Sequence, residues 1–232
     1  MKGRIVKHAI PYTLACAALA VLAGCGGSND HSYPWFGSIP EAAKPTVTAD
    51  ELDTGAYTVS TGNAEQPTMG RYYAGADGKR LLALEDPLEH VDVLLRRADA
   101  SSKWAAVPAP ASDLSVKFLR SEARALAKPD AAALAGRYVV RLSDGSAADF
   151  QIGADGRIAK GSLSGCQLSG SLAAGSLPAA LALSLDSSGC AGLPAHASGV
   201  LIVDSQDAPA SLRLLADDGG SIVDLRGYAE PA

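Results

Sequence analysis

Four Asp-Gly pairs punctuate the chain: Asp77-Gly78, Asp144-Gly145, Asp155-Gly156 and Asp218-Gly219. Each stands between short apolar-alternating runs. Glycine supplies the left-handed backbone of a tight reversal and aspartate tolerates it, so each pair marks a β-hairpin. The runs keep the matching period: Tyr138, Val140 and Leu142 alternate, as do Ala148, Phe150 and Ile152, and Leu181, Leu183 and Leu185. Alternation of this kind puts one face of a strand in a core and the other in water.

The hairpins dictate the fold class, which is mainly β. Eight short strands are predicted over 136–142, 147–152, 157–163, 166–172, 180–185, 197–203, 211–215 and 221–226. Even, hairpin-linked spacing favours a small antiparallel up-and-down barrel, because closure removes open edges. A two-sheet sandwich is the alternative. Upstream, strands at 56–60, 70–74, 80–84, 90–96, 104–107 and 114–119 predict a smaller antiparallel β domain. The Ala-rich stretches 121–126 and 130–134 predict a short helical linker, split by Pro129 and capped at Asp130. Two shared strings point to related halves: Gly75-Ala-Asp-Gly78 with Gly153-Ala-Asp-Gly156, and Gly55-Ala-Tyr57 with Gly136-Arg-Tyr138.

The N-terminus has a different character. Lys2, Arg4 and Lys7 precede a mostly apolar run, 9–22, that ends in Ala23 and Gly24. This is the layout of a secretory signal, and the run falls short of the roughly 20 apolar residues of a spanning helix. Leu22-Ala23-Gly24-Cys25 resembles the lipobox of bacterial lipoproteins. The resemblance implies cleavage before Cys25, a diacylglycerol on its thiol and an acylated amino terminus. Gly26 follows rather than aspartate, which implies the outer membrane, at its periplasmic face or the cell surface. Several acyl chains make a stable anchor, at about 0.8 kcal/mol per buried CH₂. Residues 25–50 then form the lipidated cysteine and a tether, with Pro34, Pro40 and Pro45 and no hydrophobic period. Within it, Trp35 and Phe36 offer either a contact for a partner or a cover for the first folded part. The expected layout is 1–24 signal, 25–50 tether, 51–127 N-terminal β domain and 128–232 barrel-like domain.

Four cysteines are present. Cys16 leaves with the signal and Cys25 carries lipid on this reading. Cys166 and Cys190 remain, and an oxidising compartment favours their pairing; two buried thiols are the alternative. Removing residues 1–24 takes away Lys2, Arg4 and Lys7 and no acid, leaving 17 basic against 25 acidic side chains. That balance opposes a nucleic-acid partner and charge-driven adsorption to anionic lipid.

Motifs for catalysis are absent from the sequence: there is no Gly-x-Ser-x-Gly, His-Glu-x-x-His, P-loop or Gly-x-Gly-x-x-Gly. His90 and His196 are candidate general bases without a local motif. Glu85, Asp86, Glu89 and Asp92 could bind Ca²⁺ or act as an acid/base pair, yet lack the loop of a calcium site; a solvated turn at Pro87 explains them as well. Asp217-Asp218-Gly219-Gly220 reads as a hairpin turn. No cofactor or metal is expected.

The strings Gly136-Arg-Tyr138, Ala154-Asp-Gly156-Arg-Ile158, Ser164-Gly-Cys166 and Ser188-Gly-Cys190 resemble a β module of uncharacterised exported proteobacterial proteins, over roughly residues 130–228. This implies fold and compartment only. The expected function is that of a lipid-anchored envelope protein acting as a binding or interaction module. A periplasmic inhibitor or accessory protein of an envelope enzyme or assembly machine is the alternative. An enzyme is disfavoured, since no nucleophile, metal or acid/base constellation stands out.

Overall fold

All four Asp-Gly glycines adopt the left-handed conformation, with φ of 84° at Gly78, 83° at Gly145, 81° at Gly156 and 91° at Gly219. At the first three the loop is the same. The glycine amide returns to the carbonyl of Gly75, Leu142 or Gly153, at 3.2, 3.0 and 2.9 Å respectively. The preceding aspartate accepts from the amide two residues on, at Lys79, Ser146 and Arg157. These are three-residue hairpin loops closed by a left-handed glycine.

The computed structural model describes residues 43–162 and 165–231. The chain from residue 43 on forms one compact unit. Its strands are β1 (Val47–Ala49), β2 (Gly55–Gly62), β3 (Pro67–Ala74), β4 (Arg80–Glu85), β5 (Val91–Arg97), β6 (Ala105–Val107), β7 (Leu114–Val116), β8 (Phe118–Arg124), β9 (Gly136–Arg141), β10 (Ala147–Ile152), β11 (Arg157–Lys160), β12 (Gln167–Ala174), β13 (Ala180–Ser188), β14 (His196–Ile202), β15 (Leu212–Asp217) and β16 (Ile222–Ala229). The signal segment 1–24, Cys25, Trp35 and Phe36 lie outside the described residues.

Strands β9 to β16 pair in sequence order, and β16 returns to β9, with Gly227 opposite Val140. This is a closed up-and-down barrel rather than a sandwich. Inward positions are apolar and buried, among them Val140, Ile152, Leu168, Leu201 and Leu214. Tyr138 stacks on Phe150 with ring centroids 5.7 Å apart. Full burial of each such side chain contributes about 1.5–3 kcal/mol. An apolar interior with charged outward residues such as Arg141 and Lys160 is the inverse of a membrane-spanning barrel.

The first part is a six-stranded antiparallel sheet in the order β6-β5-β4-β3-β2-β8. One face buries Val59, Tyr72, Leu82 and Leu95 beneath the parallel pair β1·β7. The other face packs on the barrel, with Ala56, Tyr73, Leu81 and Leu94 against Val200, Ile202 and Leu215. Strand β15 therefore has a core on each side, and all six of its residues are buried.

Three expectations are corrected. Residues 121–126 are not helical: 121–124 continue β8, where Ser121 pairs with Val59 and Arg124 with Ala56. Ladder pairing there overrides the modest helix preference of an Ala-containing run. Residues 130–134 form consecutive turns, in which the Leu134 amide is shared between the carbonyls of Asp130 and Ala131 at 3.2 Å each. One turn before a strand is too short to propagate a helix. Part of the segment expected as tether, Val47–Ala49, is a strand paired with Leu114–Val116.

Candidate functional site

Where the sheet meets the barrel, charged side chains replace apolar ones. Arg213 points outward from β15 and is 1% exposed. Its Nε and Nη2 donate to the two carboxylate oxygens of Asp224 at 2.6 and 2.7 Å, and its Nη1 donates to Glu85 at 2.6 Å. Nη2 also donates to the Glu89 carbonyl at 3.0 Å. Arg71, from the sheet, contacts Glu85 at 3.1 Å and Asp207 at 2.8 Å. Arg124 grips Asp204 with both terminal nitrogens, Nη2 lying 2.7 Å from Oδ1.

Burial opposes the charge on Arg213, but the Asp224 and Glu85 carboxylates outweigh it and hold the guanidinium protonated. Burial likewise opposes ionisation of Asp204, yet Arg124 and the Gln206 amide hold its carboxyl below the usual range. Tyr73 lies among these groups, and its hydroxyl is buried without a hydrogen-bond partner among the described residues. Burial pushes that hydroxyl up to about 12. This seam is a fastening: its charges are spent on one another, and such networks fix one docking geometry rather than supply large net stability.

Beside the seam the two layers diverge into a groove of about 440 Å³. Leu81 and Leu94 from the sheet, and Leu177 and Val200 from the barrel, form its floor. Among the described residues, Lys79, Arg80, Arg96, Arg97 and Lys103 line it, against a single carboxylate, Asp217. Arg96 reaches across from β5 to Asp217 on β15 at 2.8 Å. Burial raises the Asp217 carboxyl, an effect that Arg96 partly offsets. Arg80 and Arg97 are tied to Glu51 at 3.2 and 2.7 Å, and Arg97 also lies over the Trp104 ring, 5.6 Å from its centroid. Lys79 and Lys103 have no ion-pair partner within 4.0 Å among the described residues. The groove thus combines an apolar floor with positive charge, within a chain of formal net charge −5.

The histidines are not brought together. His90 lines a 560 Å³ cleft with Asp224, Arg226 and Tyr228. His196 pairs with Asp186 at 2.6 Å at a separate exposed site on the barrel. The acidic run divides its labour. Glu85 enters the seam, Asp86 accepts from the Leu88 and His90 amides in a turn, and Glu89 contacts Arg226 at 3.3 Å. Asp218 accepts from the Gly220 and Ser221 amides, also as a turn residue. Among the described residues no three His, Cys, Asp or Glu side chains are grouped to hold a metal ion. Cys166 and Cys190 form a disulfide that joins the start of β12 to the β13–β14 loop.

Sequence reasoning missed Arg71, Arg96, Arg124, Asp204, Asp207, Arg213 and Asp224. One signal was present: Arg213 and Asp217 interrupt an apolar strand, Leu-Arg-Leu-Leu-Ala-Asp, at the positions alternation turns outward from a barrel. No protein-family model matches the chain, and no curated protein and no solved structure matches it.

Proposed function

We propose that this chain is a lipid-anchored protein of the bacterial outer membrane that acts as a binding module, receiving an anionic group of its partner in the sheet–barrel groove. The groove carries the reading: it gathers five basic residues and one acidic residue on an acidic chain. Local charge opposite to the net charge steers and orients a partner. The lipobox-like Leu22-Ala23-Gly24-Cys25 supports the anchor, and the Cys166–Cys190 disulfide fits an oxidising compartment.

In this reading the partner's anionic group meets Lys79 and Lys103, while an adjoining apolar portion lies over Leu81 and Leu177. Arg80 and Arg97, already oriented by Glu51, reinforce the positive field. The test uses the exported full-length protein. A photo-crosslinker at Ser102 should capture an envelope partner, and Lys79→Glu with Lys103→Glu should abolish that adduct. An adduct indifferent to the charge reversal overturns the groove. Cys25→Ser should move the protein from the membrane to the soluble fraction, and undiminished membrane attachment overturns the anchor.

A further inference from the structure

Strand β8 is one end of the six-stranded sheet. It pairs with β2 and, among the described residues, with no strand on its other side. Towards its start, Asp50 accepts from the Phe118 amide at 2.9 Å. Beyond that point residues 119–123 are all exposed, and among the described residues no backbone group of 119–124 bonds outside the ladder with β2. An open edge of this length is a template for another strand. Proline and lysine, two of the common protections, are missing from Phe118–Arg124; the strand carries instead Arg120, Glu122 and Arg124, and its ladder with β2 shifts register at Ser60/Thr61.

The charges on this edge are self-complementary. Arg120 and Glu122 lie opposite Ser60 and Thr58, so they share one face of the sheet. Neither has an ion-pair partner within 4.0 Å among the described residues. Arg124, by contrast, is already held by Asp204. We propose that β8 pairs antiparallel with β8 of a second copy of this chain, about a two-fold axis through Ser121.

In that register Arg120 faces Glu122 of the other copy, Glu122 faces its Arg120, and Leu119 faces its Ala123. Two opposite-charge cross-strand pairs form on the same face. Moving the axis to Arg120 or Glu122 sets like charges opposite each other. Moving it to Ala123 requires Arg124, which the seam has taken. Leu119 and Met69, 45% and 46% exposed, line a cleft beside this edge and add apolar surface next to the contact. The pairing is isologous, as a closed dimer requires, and joins two six-stranded sheets into one.

Sedimentation of the purified full chain, and of exposed-site variants whose circular dichroism matches it, tests this. Wild type should be a dimer. Arg120→Glu alone and Glu122→Arg alone should each weaken dimerisation by on the order of tenfold or more, since each sets like charges opposite in both pairs. An equal mixture of the two single variants should form heterodimers, because every pair is then opposite in sign. The double variant Arg120→Glu with Glu122→Arg should recover wild-type association. A monomeric wild type overturns the proposal, as do single variants that dimerise like wild type, or a mixture that associates no better than its components.

Discussion

Tyr73 and Arg213 sit in the same seam and answer to opposite rules. The Tyr73 hydroxyl is buried with no partner among the described residues, so it bears a desolvation cost without a compensating bond. Tyr73→Phe should leave stability unchanged or raise it by about 1 kcal/mol. Arg213 satisfies Asp224 and Glu85 at once; removing it leaves Glu85 to Arg71 alone and takes from the largely covered Asp224 carboxylate its arginine partner. Arg213→Ala should cost about 3–5 kcal/mol. Urea unfolding of the two variants checks both, and a costly Tyr73→Phe would reveal a bond the hydroxyl makes. The difference also explains what was legible in the sequence. Alternation along β15, with Leu212, Leu214 and Ala216 in the barrel core, turns Arg213 outward, but only the sheet packed over β15 makes that outside an interior. A partner distant in sequence leaves no local mark, so Glu85, 128 positions away, could not be joined to Arg213 by spacing.

Among the elements, strands joined by short turns were readable because one glycine conformation fixes each reversal. The same reading failed at 121–126, where composition is local but strand pairing is not. The shared strings acquire geometric content. Gly55 pairs with Ala74, directly before the turn at Gly75, and Gly136 pairs with Ile152, directly before the turn at Gly153. In each case the tyrosine two residues on packs near the glycine: a Cβ would come within 3.1 Å of Tyr57 at Gly55 and 3.8 Å of Tyr138 at Gly136. β2-β3-β4 and β9-β10-β11 are thus equivalent meanders. In both halves the last strand also returns to the first, β8 to β2 and β16 to β9. The sheet is an opened counterpart of the barrel, filled along its inner face by β1·β7. The disulfide belongs to this scale too, since it closes 24 residues of barrel between Cys166 and Cys190. Replacing both cysteines with serine should cost about 3 kcal/mol on chain-entropy grounds, read as a lowered urea midpoint. A reductant should lower the midpoint of the native protein and leave that of the variant unmoved.

At the scale of the whole molecule, the seam makes stability depend on pH. The Asp204 carboxyl titrates lower in the folded chain than in the unfolded one, because Arg124 outweighs the effect of burial. Its contribution is therefore complete above the unfolded value of about 3.9 and is lost as pH falls through the lower folded value. Asp204→Asn should be less stable than wild type at neutral pH, with the gap narrowing as acid protonates the wild-type carboxyl. Urea midpoints measured across that range check the sign, and a gap that widens in acid would contradict it.

β15 contributes Leu214 to one core and Leu215 to another, so a single strand serves as a common wall between two rooms. Such a wall permits little independent drift. A substitution chosen to suit one side is judged on the other, and the two halves must change in step. If the halves arose as copies, the shared strand is where their separate histories ended.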